Sequence, residues 1–296
     1  MSASLMMTHL LLEQLRRNPL PRIPEPAAVM ADAGQVSAFM DSGRRDGVLH
    51  YVYLFHALMS AAQIRPGELV LDLACGPANQ LLHMARLHPD SRFVGLDASP
   101  AMLRLAADNL RTAGVDNVSL QQGDITVLDG FADGAVDAVL CTMSLHHLPD
   151  VSALQQTLGQ VRRILQPDGG VYLADFGRLK RRATQHYFAH DRRDMQSAQF
   201  TADFLNSMQA AFSLAELQQA AHALGMALDS HHTALAPFMV VLRRPARREI
   251  DAGLRQRMQA AYRQLGRGEQ RDLHNLLRWF RPGGLSLPAG LVLTDG

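Results

Sequence analysis

Leu69-Val70-Leu71-Asp72-Leu73-Ala74-Cys75-Gly76-Pro77-Ala78 decides the fold. Its first half reads as a buried strand, its second half as a turn of small residues, and the residues after it return to helical spacing. Small side chains are needed in such a turn, because the backbone must bend sharply and approach a ligand without obstruction. A helix N-terminus alone would suit a phosphate. A pyrophosphate site, however, asks for G-x-G-x-x-G, and Ala74 and Ala78 stand where glycines are expected, which weakens a dinucleotide reading.

Working outward, strand and helix signals alternate regularly. Strands are predicted at 68–73, 91–96, 117–121, 135–141 and 170–175, with helices near 79–88, 99–113 and 151–165 between them. Short buried strands separated by helical segments of about 10 to 15 residues indicate βαβ units and a parallel sheet. Right-handed crossovers make that sheet doubly wound. Strands near 226–234 and 237–243, joined at Pro237, read as an antiparallel closing hairpin, giving an α/β, Rossmann-like, seven-stranded and mostly parallel sheet.

Helical additions flank it. Residues 4–17 read as a short amphipathic helix, Pro19, Pro21, Pro24 and Pro26 as a helix-breaking linker, and a second helical zone runs to Arg65-Pro66-Gly67. In that zone Val48, Tyr51, Val52, Phe55, Leu58 and Met59 recur at helical spacing. The expected organisation is a helical cap over 1–65, a core over 66–244 with a lid insertion at about 177–212, and a helical extension over 245–296. Ser213 to Glu216 offers a capping box for the helix that follows the insertion.

Three acids fall at successive strand ends: Asp72, Asp97 in Phe93-Val94-Gly95-Leu96-Asp97, and Asp124 in Gln122-Gly123-Asp124-Ile125. Asp97 lies about twenty residues past the turn, the offset at which a carboxylate can accept from both ribose hydroxyls. Asp124 could accept from an adenine amino group. Convergence of the three on one crevice is what an open α/β sheet expects of a ligand site. Singly, each has a plain alternative: Asp72 or Asp97 could cap the next helix, and Met102 could be core.

These segments resemble the class I S-adenosylmethionine-dependent methyltransferases of the UbiE-like small-molecule group. The likeness rests on Asp72 to Gly76, on Gly95 to Leu103, on Gly123-Asp124, on Asp137 to Cys141 with Leu145 to Leu148, and on Leu165 to Gly170, and it covers roughly residues 66 to 176. It implies S-adenosylmethionine as cofactor. Asp72 with the turn at Ala74 and Gly76 would hold the methionine portion, Asp97 the ribose with Ala98 beside it, and Met102 would pack near the adenine. Gly123, Asp124 and the backbone of Ile125 would read the adenine edge, and Thr142, at the end of the fourth strand, belongs to the same set. Ala74 and Ala78 depart from the family's glycines.

Methyl transfer from a sulfonium is an in-line displacement, so a protein mainly positions the acceptor and excludes water. An alcohol acceptor must also lose a proton, a task suited to histidine, whose ordinary pKa is about 6.5. His146 and His147 follow the fourth strand and Asp175 ends the fifth; the pair resembles the His/Asp arrangement of related O-methyltransferases. His146 is the candidate general base, oriented by Asp175, with His147 second; the plain alternative, and the plainer reading of His147, is that one histidine caps the next helix or packs on the sheet. Tyr51 and Tyr53, on the helix before the first strand, are candidates for contact with cofactor and acceptor, although core packing is the plainer reading of Tyr51. Arg178, Lys180, Arg181 and Arg182 read as a solvated basic face.

Composition bounds the alternatives. A formal net charge of +1 points to no nucleic-acid partner. The two cysteines, Cys75 and Cys141, are too few for a disulfide framework and lack metal-ligand spacing, so no metal site and a reducing, cytoplasmic location are expected. No run approaches the roughly 18 apolar residues of a membrane span. Competing readings are an NAD-dependent oxidoreductase, an aminopropyl transferase, a nucleic-acid or protein amide methyltransferase, and a cofactor-binding protein without turnover. The missing glycine fingerprint, the lack of clustered acids after the fourth strand, and Thr142-Met143-Ser144-Leu145 in place of an Asn/Asp-Pro-Pro-aromatic stretch tell against the first three. The expected partners are a small-molecule acceptor and a second copy, the homodimer resting on either helical extension, with Trp279-Phe280 as the candidate interface aromatics.

Overall fold

The computed structural model describes residues 3–26, 34, 36, 41–43 and 47–293. Most of 27–46, the first part of the second helical zone, lies outside the described residues. Helix α1 spans Ala3–Gln14 and α2 His50–Ser60. The sheet is built from β1 (Leu69–Leu73), β2 (Arg92–Asp97), β3 (Val118–Gln122), β4 (Val136–Thr142), β5 (Leu165–Phe176), β6 (Asp229–His232) and β7 (Met239–Arg243). Its order is β3-β2-β1-β4-β5-β7-β6. The first five strands pair in parallel and β7 is antiparallel to both β5 and β6, which is the closing hairpin.

Period-two alternation divides the strands between two cores. Val70, Ala138, Leu140, Tyr172 and Ala174 face one side, where α2, α3 (Asn79–Leu87), α4 (Pro100–Thr112), α9 (Ala252–Arg263) and α10 (Arg267–Phe280) cover them. Leu71, Leu73, Val139, Cys141, Val171 and Leu173 face the other, under α5 (Val151–Ile164) and α8 (Leu214–Ala221). Both faces are thereby buried, which is why β1 and β4 read as near-continuous apolar runs.

Between β5 and α8 the chain forms α6 (Arg182–His190) and α7 (Ala198–Ala210). With α1 they build a third apolar cluster around Leu10, Phe176, Leu179, Phe188 and Met208 at the carboxyl edge of the sheet. The linker crosses this edge as a strap: Leu20 N–H donates to the Leu179 carbonyl at 3.2 Å and Ile23 N–H to that of Gln209 at 3.0 Å. Arg22 anchors it, donating to the carbonyls of Ala210 (2.6 Å), His146 (2.8 Å), Leu148 (2.5 Å) and Pro149, with its guanidinium 4.1 Å above the Phe212 ring.

Three expectations shift. β5 begins at Leu165, not 170, because Leu165 pairs with Val136 ahead of a bulge and Gly170 then pairs with Ala138. The helix expected from 246 starts at Ala252, where Asp251 caps it; the stretch before docks through Arg247, whose guanidinium makes two bonds to Glu68 at 2.7 and 2.9 Å. Trp279 and Phe280 point inward: Phe280 is fully buried against Phe55, and Trp279 stacks on Phe238, so they form no exposed aromatic face.

Candidate functional site

The strand order reverses between β1 and β4, the place at which an open α/β sheet holds its ligand. The turn after β1 is left-handed at three positions: Ala74 (φ 53°), Gly76 (φ 53°) and Ala78 (φ 62°). Both alanines thus hold the conformation that glycine adopts without steric cost. Asp97 locks the turn. Its Oδ2 accepts the Gly76 N–H at 2.8 Å and its Oδ1 the Ser99 N–H at 2.8 Å.

The capping alternatives do not hold. Ser99 caps α4, its hydroxyl accepting the Met102 N–H, and α3 has Ala78 as N-cap with no side-chain bond. Asp150 caps α5, so neither His146 nor His147 does. Asp72 is 3% exposed on β1, and burial, with the Asp97 charge adding to it, pushes its carboxyl up to about 8. A buried acid in that state is an attractive partner for a bound cation. Burial likewise raises Asp97, its two backbone bonds opposing the shift only in part.

The remaining cofactor candidates lie on the same edge. Asp124 is exposed, with Oδ1 accepting from Thr126 N–H and Oγ1–H, both at 2.7 Å. Gly123 N–H donates to the Asp97 carbonyl, and a Cβ at Gly123 would stand 2.8 Å from Leu96, so the two strand ends are in close contact. Ile125 packs partly buried on the second core and Met102 is buried at the start of α4. Ala98 accepts from the Gln122 amide at 3.4 Å. Thr142 donates to Gln80 Oε1 at 2.7 Å, and the buried Gln80 Nε2 has no hydrogen-bond partner among the described residues.

On the other side of that reversal, Asp175 grips His146. The imidazole Nδ1 lies 2.6 Å from Asp175 Oδ1, and Asp175 Oδ2 accepts the His146 backbone N–H at 2.7 Å. Both side chains are buried. Asp175 as acceptor fixes the Nδ1–H tautomer and leaves the Nε2 lone pair facing the other way. There it meets Glu25 from the strap, 3.7 Å from Nε2 to Oε1, while Glu25 Oε2 lies 2.9 Å from His147 Nδ1 and Ser207 donates to Oε1 at 2.7 Å. Burial opposes protonation of His146, but the charge and hydrogen bond of Asp175, with Glu25, outweigh it and raise the imidazole. Burial also works against the Glu25 carboxylate, yet the His147 bond and the charges of both histidines leave it below its ordinary value.

His146, His147 and Glu25 open on a cavity of about 1120 Å³ that Tyr51, Tyr53, Phe204, Phe238 and Trp279 also line. Both tyrosines singled out in the sequence therefore reach the cavity. Arg178 leaves the expected basic face: it is buried and pairs with Glu216 at 2.9 Å. Sequence reasoning missed Glu25 and Arg22. The only local signal for them is the proline-rich spacing around them, which marks an ordered connection and not its destination.

Residues 70–169 match the family model of a methyltransferase domain. A demethylmenaquinone methyltransferase of Listeria welshimeri is 31% identical over 40% of this chain and 48% of its own length. An uncharacterized 37.1 kDa protein in transposon TN4556 of Streptomyces fradiae is 34% identical over 40% of this chain and 33% of its own. The chain thus spans a third to about half the length of these curated relatives. An O-methyltransferase family protein from Burkholderia thailandensis shares the fold at TM-score 0.55 and 17% identity, covering 82% of this chain and 70% of that one. A SAM-dependent methyltransferase from Aquifex aeolicus does so at TM-score 0.53 and 13% identity, covering 72% and 97%. Over residues 70–169 the chain is thus similar to a methyltransferase domain, and it shares its fold with solved methyltransferases.

Proposed function

We propose that the protein transfers a methyl group from S-adenosylmethionine to a heteroatom of a small molecule held in the cavity, with His146 and Asp175 assisting. The observation that carries this reading is the pairing of two clusters across the strand-order reversal. Asp72 and Asp97 flank a left-handed turn on one side, and the Asp175–His146 pair opens on the cavity on the other. The residues fit the cofactor: Asp72 is buried in want of a cation, and Gln80 Nε2 is a buried donor in want of an acceptor.

In this reading Asp72 and the turn at Ala74 and Gly76 hold the methionine portion, and Asp97 with Ala98 the ribose. Met102, Gly123, Asp124 and Ile125 surround the adenine, with Thr142 at the β4 edge. When bound, the cofactor supplies an electrophilic methyl on a positively charged sulfur. Asp175 keeps the His146 ring in one tautomer, so that Nε2 takes the acceptor's proton. His147 stands beside it as the second imidazole, Tyr51 and Tyr53 form wall, and α6 with α7 acts as a lid that excludes water.

Calorimetry with S-adenosylmethionine and its demethylated product, followed by labelled methyl transfer into a metabolite extract, tests the proposal. Binding with transfer supports it. Binding without transfer to any acceptor would reduce the chain to a cofactor-binding protein.

A further inference from the structure

The walls of the cavity specify more than its size. Phe188 and Phe238 lie 4.5 Å apart between ring centroids, and Trp279 stacks on Phe238 at 5.4 Å and 13°. Such a surface favours flat aromatic ligands, by offset stacking and apolar burial. At about 1120 Å³ the cavity exceeds the roughly 300–1,000 Å³ that most small-molecule sites occupy. Tyr187 Oη, on the same lining, is buried without a hydrogen-bond partner among the described residues, a state that a ligand oxygen would relieve.

Charge narrows the choice. Among the described residues five carboxylates line the cavity against three arginines, and one of those, Arg192, is already paired with Asp272 at 2.7 Å. At the histidine end Glu25 faces His146 Nε2, Asp175 stands behind the ring, and Arg22 directs its guanidinium into backbone carbonyls of the loop. A ligand carboxylate brought to Nε2 would therefore approach the Glu25 carboxylate, in apolar surroundings that screen poorly. A neutral hydroxyl meets no such opposition, and can donate to either Nε2 or Glu25.

We propose that the acceptor is a bulky, uncharged aromatic alcohol, and that Glu25 is the specificity residue that turns carboxylate-bearing analogues away. The inference rests on the cavity's being the acceptor site, as read above. Trp279 is the chain's one tryptophan and forms part of the cavity wall, so its indole N–H is a single nuclear-magnetic-resonance reporter of occupancy. The indole signal is followed while the chain is titrated with para-phenylphenol or with para-phenylbenzoate, its charged counterpart.

The phenol is expected to give a saturable shift, and the benzoate to bind at least about tenfold more weakly, since like charges brought together in an interface oppose binding. Glu25→Gln should close most of that gap, and Glu25→Asp, which keeps the charge, should preserve it. Equal or tighter binding of the benzoate to the unmodified chain overturns the proposal, as does an indole signal that neither probe moves, or a gap unchanged in Glu25→Gln. Cofactor binding, measured separately by calorimetry, tests the methyltransferase reading and is independent of these outcomes.

Discussion

Asp97 Oδ2 lies 2.8 Å from the Gly76 amide nitrogen, so the carboxylate at the end of β2 holds closed the turn that follows β1. Its other oxygen takes the Ser99 N–H. Each oxygen has a second lone pair for a ligand hydroxyl. Asp97→Asn replaces one acceptor by a donor facing an N–H group. The expected loss is about 1–3 kcal/mol of stability, the cost of an unsatisfied buried group, together with weaker cofactor binding. Denaturant melts and calorimetry on the same variant check both.

The two left-handed alanines should respond differently to glycine. A left-handed non-glycine residue costs roughly 1–2 kcal/mol, part of which glycine returns through its freer unfolded chain. Ala74 is partly exposed, so Ala74→Gly is expected to stabilise by up to about 1 kcal/mol, an increase visible in the melting temperature. Ala78 is fully buried, and deleting its methyl forfeits about 0.8 kcal/mol of burial. Ala78→Gly should therefore come out near neutral.

Asp72 makes the ligand-free chain sensitive to base. Its carboxyl sits at about 8 in the folded chain, against an ordinary 3.8. The folded state thus holds the proton more tightly than the unfolded one, and this contribution is fully present below pH 3.8 and lost as pH rises toward 8. Asp72→Asn should leave stability unchanged near pH 4 and raise it by on the order of a few kcal/mol at pH 8, relative to the unmodified chain. Paired urea melts at the two pH values measure the difference. An equal effect at both would place the Asp72 carboxyl near its ordinary value.

Most of the fold was legible because it rests on local signals. Val70 and Leu71 point to opposite faces of a sheet covered on both, and that burial wrote the apolar run of β1. The acids at 72 and 97 were legible for the same reason, being ends of such runs. Glu25 was not, since its meeting with His146 depends on a strap returning over a sheet edge more than a hundred residues away in sequence. Trp279 was read as surface for a related reason: its stacking partner, Phe238, lies on a distant segment that helical spacing cannot reveal. The β5 bulge escaped because Gln166-Pro167-Asp168-Gly169 carries turn residues inside a strand.

The Asp175–His146 pair predicts a pH–rate profile. Asp175 and Glu25 raise the imidazole above its ordinary value, so activity requiring free Nε2 should climb with pH through a limb higher than that of an unperturbed histidine. Asp175→Asn should shift that limb downward and reduce turnover. His146→Ala should cost about 10²–10⁴-fold in kcat while cofactor affinity is kept. A His146→Ala variant with full turnover would remove the base assignment.

Isothermal calorimetry of the purified chain with S-adenosylmethionine tests the central claim most directly. The account predicts saturable one-to-one binding that Asp72→Asn and Asp97→Asn each weaken while His146→Ala does not. Absence of heat with the cofactor and with its demethylated product, or affinity indifferent to both strand-end acids, would contradict it.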